Sequence, residues 1–164
     1  MNTEELSVIS HADGKTISMV GDTYRIVIDG EKTNGKYSLV DMLIPKGGGP
    51  GPHSHKDTQE AFYVIEGEIE VTTKEGTHTA KAGDYVNIPA ADIAHKFTNK
   101  KEETAHILCM LTPAGMEKMF AELGTPVAPG EFLPKPEMTP DLIEKFEKVG
   151  KEYGQKMYPP DYLG

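Results

Sequence analysis

Over the first two thirds of the chain, apolar and β-branched residues come in short runs, and polar residues, glycine and proline separate one run from the next. Several short runs with turn signals between them indicate an antiparallel sandwich or barrel. Hairpins between neighbouring strands are the simplest connection. The runs predicted to be strands are residues 16–20, 23–30, 36–45, 60–73, 77–89, 95–99 and 104–113.

Beyond Pro113 the apolar spacing changes to that of a helix. Gly124 ends the first such stretch as a C-cap, while Thr139 and Pro140 begin the second as N-cap and first helical residue. The pattern predicts two short amphipathic helices whose apolar faces pack on the outside of the barrel. The apolar residues that define these faces are Met116, Met119, Phe120 and Leu123, then Leu142, Phe146, Val149 and Tyr153.

A length of 164 residues favours one domain. We predict a β-barrel over residues 1–115 and a helical C-terminal extension over residues 116–164, packed on the barrel as part of one structural domain. The net charge of −9, with 26 acidic against 17 basic residues and no basic cluster, argues against nucleic acid or an anionic membrane surface as a partner. A small molecule is the expected partner.

Cys109 is the only cysteine, which excludes an intramolecular disulfide, a thiolate zinc site and an iron–sulfur cluster. The first ten residues carry early acids and no apolar run after a basic start, unlike a secretory signal. No segment has the apolar length needed to span a bilayer. A cytoplasmic protein is expected, with oxygen and nitrogen ligands for any metal chemistry.

Such ligands are concentrated after a glycine-rich run. On an extended strand His53 and His55 share one face and point into a barrel, while Ser54 points out. The four residues between His55 and Glu60 allow a short turn into the neighbouring strand, which brings a carboxylate beside the histidines. His95 follows a segment of proline and small residues that predicts a turn and a returning strand, so it is the candidate fourth ligand.

Three imidazoles and one carboxylate suit a single divalent transition metal ion: Fe, Mn, Ni, Co or Zn. An octahedral ion held by four ligands keeps two open positions, which a substrate oxygen, water or O₂ can take. A His-x-His pair alone is common in surface loops. The metal interpretation therefore rests on the combination of the pair, the spaced glutamate, the distant histidine and the glycines around them.

This combination resembles the two motifs of the cupin superfamily. The first motif is Gly, five residues, His-x-His, four residues, Glu, six residues, Gly, and it is matched without departure. The matching residues are Gly47, His53, His55, Glu60 and Gly67.

The second motif is Gly, five residues, Pro-x-Gly, two residues, His, three residues, Asn. Its counterparts are Gly83, Pro89, His95 and Asn99. Ala91 stands at the motif's glycine, and one extra residue lies between Pro89 and His95, so the turn there must be wider or bulged.

The chain most resembles small single-domain bacterial cupins of the quercetin 2,3-dioxygenase-like group. The resemblance implies a double-stranded β-helix, or jelly-roll barrel, with the metal in its mouth, a short helical C-terminal extension and a homodimer. It also implies that Glu60 is both metal ligand and catalytic base toward a substrate hydroxyl.

Three functions follow as hypotheses. The first is a dioxygenase acting with O₂ on an enolic or hydroxylated aromatic molecule. The second is a non-oxidative isomerase, lyase or hydrolase that uses the metal as a Lewis acid, and the third is a module that binds a small molecule or the metal without turnover. Phe62 and Val64 share parity with Glu60, and Phe97 with His95, so these three either line an aromatic substrate pocket or fill the barrel core.

Overall fold

The computed structural model describes residues 5–164; the first four residues, part of the stretch examined above for a signal, lie outside the described part of the chain. Within residues 5–164 the chain forms twelve strands and two helices. The strands are β1 (Lys15–Met19), β2 (Asp22–Ile28), β3 (Ser38–Ile44), β4 (His53–His55), β5 (Gln59–Glu66), β6 (Glu68–Thr73), β7 (Gly76–Lys81), β8 (Tyr85–Ile88), β9 (His95–Thr98), β10 (Ala105–Thr112), β11 (Thr125–Pro126) and β12 (Gln155–Met157). The helices are α1 (Met116–Leu123) and α2 (Pro140–Glu152).

Two antiparallel sheets form the barrel. The seven-stranded sheet has the order β11-β1-β2-β3-β10-β5-β8, and the five-stranded sheet has the order β12-β4-β9-β6-β7. From β3 to β10 the chain passes between the sheets at every connection except β6–β7, which is the wiring of a jelly roll. The predicted double-stranded β-helix is confirmed.

The predicted hairpin wiring is right only for β1–β2, β2–β3 and β6–β7. It is wrong for the strands that carry the candidate ligands, because β4 and β5 lie in different sheets although three residues join them. Turn signals show where a strand ends, but only tertiary packing decides which sheet takes the next strand.

Alternation along the strands places one face of each sheet in a shared core. In β3 and β10 every second residue is buried, as expected when one face packs and the other does not. Phe62 on the larger sheet contacts Phe97 on the smaller one, edge to face, with 4.9 Å between ring centroids. The barrel interior is therefore filled with side chains at this level.

The C-terminal part supplies both helices and strands. Helix α1 packs against β1 and α2, and it buries Glu117, whose carboxylate accepts hydrogen bonds from the backbone amides of Gly30 and Gly115. β11 extends the larger sheet at β1, and β12 extends the smaller sheet at β4. Sequence analysis missed these two short strands. None of the helices in residues 5–164 has the length and apolarity needed to cross a bilayer.

Candidate metal centre

The four predicted ligands meet at one point inside the barrel. Taking one ligand atom from each residue, these atoms all lie within 4.8 Å of one another. All four residues are buried: His53, His55, Glu60 and His95 are 6%, 2%, 4% and 0% exposed. Four potential ligands this close and this buried form a cluster capable of binding a metal ion.

Both sheets contribute to the cluster. In the smaller sheet β4 lies between β9 and β12, and the register sets His53 directly opposite His95. Glu60 lies on β5 of the larger sheet, so its carboxylate faces the histidines across the barrel interior. The prediction that Glu60 comes from a strand beside β4 in the same sheet is wrong, although the convergence that it was meant to explain is present.

Each of the three imidazoles is oriented by a backbone carbonyl. Nδ1 donates to a carbonyl oxygen in every case: His53 to Gly51 at 2.9 Å, His55 to Thr58 at 2.8 Å, and His95 to Ile93 at 2.8 Å. A carbonyl only accepts, so the proton lies on Nδ1 and the neutral ring keeps a free lone pair on Nε2. Metal-binding histidines commonly have their second nitrogen fixed in this way.

The Nε2 atoms of His55 and His95 point at one carboxylate oxygen. Glu60 Oε2 lies 2.8 Å from Nε2 of His55 and 3.0 Å from Nε2 of His95. With Nδ1 protonated, a neutral ring would set its lone pair against a carboxylate oxygen at these distances, which is repulsive. The arrangement calls for positive charge between these atoms, supplied either by extra protons or by a cation. The donor set therefore fits a metal ion.

The pKa values of the cluster follow from burial and from this carboxylate. Burial lowers the pKa of His53 to about 4, and the neighbouring charge of His95 acts in the same direction. For His55 burial alone would lower the pKa, but the hydrogen bond to Glu60, the charge of Glu60 and the hydrogen bond to Thr58 together raise it. For Glu60 burial alone would raise the pKa, but the hydrogen bonds and charges that His55 and His95 supply when Nε2 carries an extra proton lower it, so the carboxyl is ionised at neutral pH.

The turn before His95 absorbs the extra residue of the second motif. Asp92 lies three residues before His95, where the motif has its glycine, and it adopts a left-handed φ of 54°. Asp is among the few residues other than glycine that tolerate this conformation. The insertion thus lies between Pro89 and Asp92, and His95 keeps its place opposite His53.

Ser54 joins this turn to the C-terminal segment. It points away from the barrel interior, as predicted, but it is fully buried and not exposed to solvent. Its hydroxyl donates to the Asp92 carboxylate, and the Tyr158 hydroxyl lies 3.1 Å from Ser54 Oγ, where it can donate in turn. Sequence analysis considered only the direction of Ser54 and missed Asp92 and Tyr158. Asp92 could have been found by counting the motif back from His95, whereas nothing in the sequence connects Tyr158 with Ser54.

The loop of Gly47, Gly48 and Gly49, called the glycine loop below, precedes β4 and supports it. The Gly49 amide donates to the buried Asp22 carboxylate, at 3.0 Å to Oδ2 and 3.3 Å to Oδ1. Gly47 and Gly48 exchange backbone hydrogen bonds with Asn99, which follows β9. The ends of the two motifs are thereby joined beside the ligands.

Of the two positions expected for Phe62, Val64 and Phe97, the structure shows the core position. Phe62, Val64 and Phe97 are 0%, 0% and 2% exposed in the hydrophobic core, and none of them lines the described cavity beside the cluster. The three side chains point inward, as their parity predicted, but other core side chains fill the barrel interior around them. Cys109 is buried as well, and its Sγ lies 3.4 Å from Glu60 Oε1. Burial raises the pKa of this thiol, so it stays protonated and can donate to the carboxylate.

The jelly roll and the cluster of three histidines and one glutamate inside it are the features that the resemblance to cupins implies. Comparisons with known proteins agree with that resemblance. Residues 40–111 match the family described as Cupin domain. This segment, which holds all four clustered residues, is therefore similar to a Cupin domain.

Relatives resemble the chain at modest identity. It is 27% identical over 119 residues to quercetin 2,3-dioxygenase of Bacillus subtilis, an alignment that covers 73% of this chain and 35% of that protein. The chain thus spans about a third of that enzyme's length. The solved structure of KdgF from Halomonas sp. has a TM-score of 0.59 at 17% identity, covering 68% of this chain and 99% of that one. A predicted oxalate decarboxylase from Thermotoga maritima has a TM-score of 0.57 at 21% identity, covering 66% and 99%. At these identities the solved structures support the fold alone.

Proposed function

We propose that the chain is a metal-dependent cupin of the dioxygenase type, which acts on an enolic or hydroxylated aromatic small molecule. One divalent transition metal ion, Fe, Mn, Ni, Co or Zn, would be held by His53, His55, Glu60 and His95. The observation that carries this proposal is that Nδ1 of all three imidazoles donates to a backbone carbonyl, which leaves each Nε2 free for a metal ion. Nε2 of His55 and Nε2 of His95 already lie 2.8 and 3.0 Å from one Glu60 oxygen. When bound, such an ion supplies Lewis acidity and, for the redox-active metals, the electron transfer that reaction with O₂ requires.

Glu60 is assigned a second role as proton acceptor. Its carboxyl is ionised because its pKa is lowered, so it can accept the proton of a substrate hydroxyl that is acidified nearby. Oε2 is engaged by His55 and His95, whereas Oε1 has only the weak thiol donor of Cys109 as a described neighbour. Oε1 is therefore the atom to which we assign the proton.

The histidines and the core hold the carboxylate in place and keep bulk water from it. The three backbone carbonyls fix the imidazoles, so none of the three rings needs to rotate during the reaction. The packed pair of Phe62 and Phe97 closes the barrel below the cluster. A proton accepted by Glu60 is thus retained near the reacting atoms.

The resemblance to quercetin 2,3-dioxygenase favours the oxidative reaction. A non-oxidative isomerase, lyase or hydrolase would use the same ion and the same proton acceptor, and it is the second candidate. Binding without turnover is the third. The homodimer and the cytoplasmic location stay predictions.

The deciding experiment measures metal content first and turnover second. Protein purified without added metal is analysed for bound metal and then assayed with and without O₂ against a panel of flavonols and β-diketones. Metal-dependent O₂ consumption is the expected result. Turnover without O₂ would replace the dioxygenase by the Lewis-acid class, and tight ligand binding without turnover would replace it by the binding module.

A further inference from the structure

The C-terminal segment, residues 155–164, completes the sheet that carries the three clustered histidines. β12 pairs with β4 over three residue pairs, in a register that sets Met157 opposite His53. On its other side β4 meets β9, within residues 5–164, at a single residue pair, His53 and His95. Strand pairing therefore holds β4 to the C-terminal segment more fully than to the strand that carries the third histidine.

Tyr158 follows β12 and contacts the metal centre with its backbone. Its amide donates to the carbonyl of Pro52 at 3.0 Å. Pro52 is the residue after Gly51, whose carbonyl accepts from Nδ1 of His53. The backbone of Tyr158 thus holds the loop that orients the first clustered histidine.

The hydroxyl of Tyr158 reaches the turn before His95 through a buried serine. Ser54 Oγ donates to the Asp92 carboxylate, so its oxygen is left to accept from the Tyr158 hydroxyl at 3.1 Å. Ser54 lies between the two histidines of β4 in sequence and is fully buried. Asp92 precedes Ile93, whose carbonyl accepts from Nδ1 of His95. The network therefore joins β4 to the turn that orients His95.

Two neighbours hold the Tyr158 ring in place. The ring of Tyr162 stacks on it at 4.3 Å between centroids, with 24° between planes. Lys156 Nζ lies 4.8 Å from the centroid of the Tyr158 ring. These contacts restrict the movement of the ring, so its hydroxyl stays directed at Ser54.

The same residues border the space through which a small molecule can reach the cluster. A cavity of about 730 Å³ lies between β7 and β8, which are edge strands of the two sheets. Asp92, His95 and Tyr158 all line it, and of the four clustered residues His95 is the one that does. The link from Tyr158 to Asp92 thus acts on the clustered residue that faces the cavity.

We infer that Tyr158 is a positioning residue of the metal centre, which sets His53 and His95 at the separation that one metal ion requires. The inference rests on the metal binding of the proposed function and deepens it, because it makes the C-terminal segment part of the site. Tyr158 lies outside the cluster and acts through Ser54 and Asp92. Loss of its hydroxyl should therefore lower metal affinity without removing a ligand.

The test measures Co²⁺ binding by the full chain after treatment with a chelator. Co²⁺ is the probe because its visible absorption reports the geometry of its ligands. Tyr158→Phe removes the hydroxyl and keeps both the ring and the amide that donates to Pro52. We expect this variant to bind Co²⁺ about tenfold more weakly than the parent protein and with an altered spectrum, since partners behind metal ligands have effects of this size. Tyr162→Phe, which removes the hydroxyl of the stacked neighbour, is the matched control and should bind Co²⁺ as the parent does.

A double-mutant cycle shows whether the hydroxyl acts through Ser54. Ser54→Ala should weaken Co²⁺ binding at least as much as Tyr158→Phe does. The double variant should lose no more affinity than Ser54→Ala alone, since the two changes break one network. Losses that multiply in the double variant would overturn the inference.

Urea unfolding of the metal-free variants separates positioning from a role in stability alone. If Tyr158→Phe lowered the urea midpoint while the folded protein bound Co²⁺ with unchanged affinity and spectrum, the inference would be overturned and the metal centre would stand. A parent protein that binds no Co²⁺ would remove both the inference and the proposed function. Co²⁺ affinity that depends on Tyr158 in a protein without O₂-dependent turnover would support the inference and remove the dioxygenase.

Discussion

The two halves of the metal centre reach the same result by different means. The first-motif segment, residues 47–67, follows the family spacing. Strand parity directs His53 and His55 inward, and the crossing into the larger sheet sets Glu60 opposite them. The second-motif segment, residues 83–99, has an insertion and lacks the motif's glycine, yet His95 lies opposite His53 in register. The position of His95 therefore depends on its pairing and on the left-handed residue three places before it, and not on its distance from Pro89.

If both segments supply full ligands, alanine at either should have the same large effect. We expect Glu60→Ala, His53→Ala and His95→Ala each to lower metal affinity roughly a hundredfold or more, since second-sphere losses alone reach that size. Metal content after dialysis measures the loss, and circular dichroism checks that the barrel is folded. His78→Ala, which changes a cavity-lining histidine outside the cluster, is the control. Unchanged metal content in the first three variants would contradict the site.

Two glycines of the glycine loop differ in how much space surrounds them. Gly47 matches the family motif, whereas Gly49 has no room for a side chain. A Cβ on Gly49 would lie 1.9 Å from the carbonyl oxygen of Phe97, at a φ of +111°, whereas a Cβ on Gly47 would meet nothing within 4 Å at +74°. Gly49→Ala should therefore destabilise the fold by at least about 3 kcal/mol, and Gly47→Ala by about 1 kcal/mol. Urea unfolding measures both. Equal effects would mean that the loop moves freely away from β9.

These particulars show how far sequence reasoning reaches. The shared direction of His53 and His55 follows from local rules, because strand parity acts within a few residues. Sheet membership does not, since the crossing from β4 to β5 is decided by packing of the whole barrel. The same holds for Phe62 and Phe97, whose inward direction was predictable but whose mutual contact, which fills the space, was not.

The C-terminal contribution was beyond local rules. Tyr158 contacts Ser54 across 104 positions of sequence, and β12 is a strand of three residues without a distinctive pattern. Asp92 is intermediate between these cases, because the motif counted back from His95 identifies it, while its hydrogen bond to Ser54 depends on the fold.

Asn99 closes the second-motif segment and should matter for stability, not for metal. Its buried side chain donates to the carbonyls of Ile44 and Glu103, at 2.9 and 2.7 Å, and accepts from the amide of Lys101 at 2.8 Å. Asn99→Ala leaves these groups without partners and should cost about 2 to 3 kcal/mol of unfolding free energy. The exposed Asn87→Ala is the matched control. A loss of metal without a loss of stability would contradict this assignment.

Asp22 makes the support of the first-motif segment dependent on pH. Burial raises the pKa of its carboxyl from 3.8 to about 7, against the opposing hydrogen bond from Gly49. The folded state thus binds the proton more tightly than the unfolded chain does. The stability from this group is fully present below pH 4 and is lost as pH rises toward and through 7.

Asp22→Asn keeps an acceptor for Gly49 and removes the titration. We expect the variant to exceed the parent protein in stability by about 1 to 3 kcal/mol at pH 8, with the difference shrinking toward pH 4. Unfolding curves at several pH values give the difference directly. Parallel stability profiles for the two proteins would show that Asp22 is ionised throughout the range.

Variants of Asp92 should have the smallest effects. They separate its left-handed backbone conformation from its hydrogen bond with Ser54. Asp92→Gly adopts the left-handed φ without strain and loses only the hydrogen bond from Ser54, at a cost of about 1 kcal/mol. Asp92→Ala loses the same bond and also strains the turn, which adds about 1 kcal/mol. Unfolding free energies rank the variants, and metal affinity tests whether the turn positions His95. If Asp92→Gly were less stable than Asp92→Ala, the left-handed backbone conformation would not be what replaces the motif's glycine.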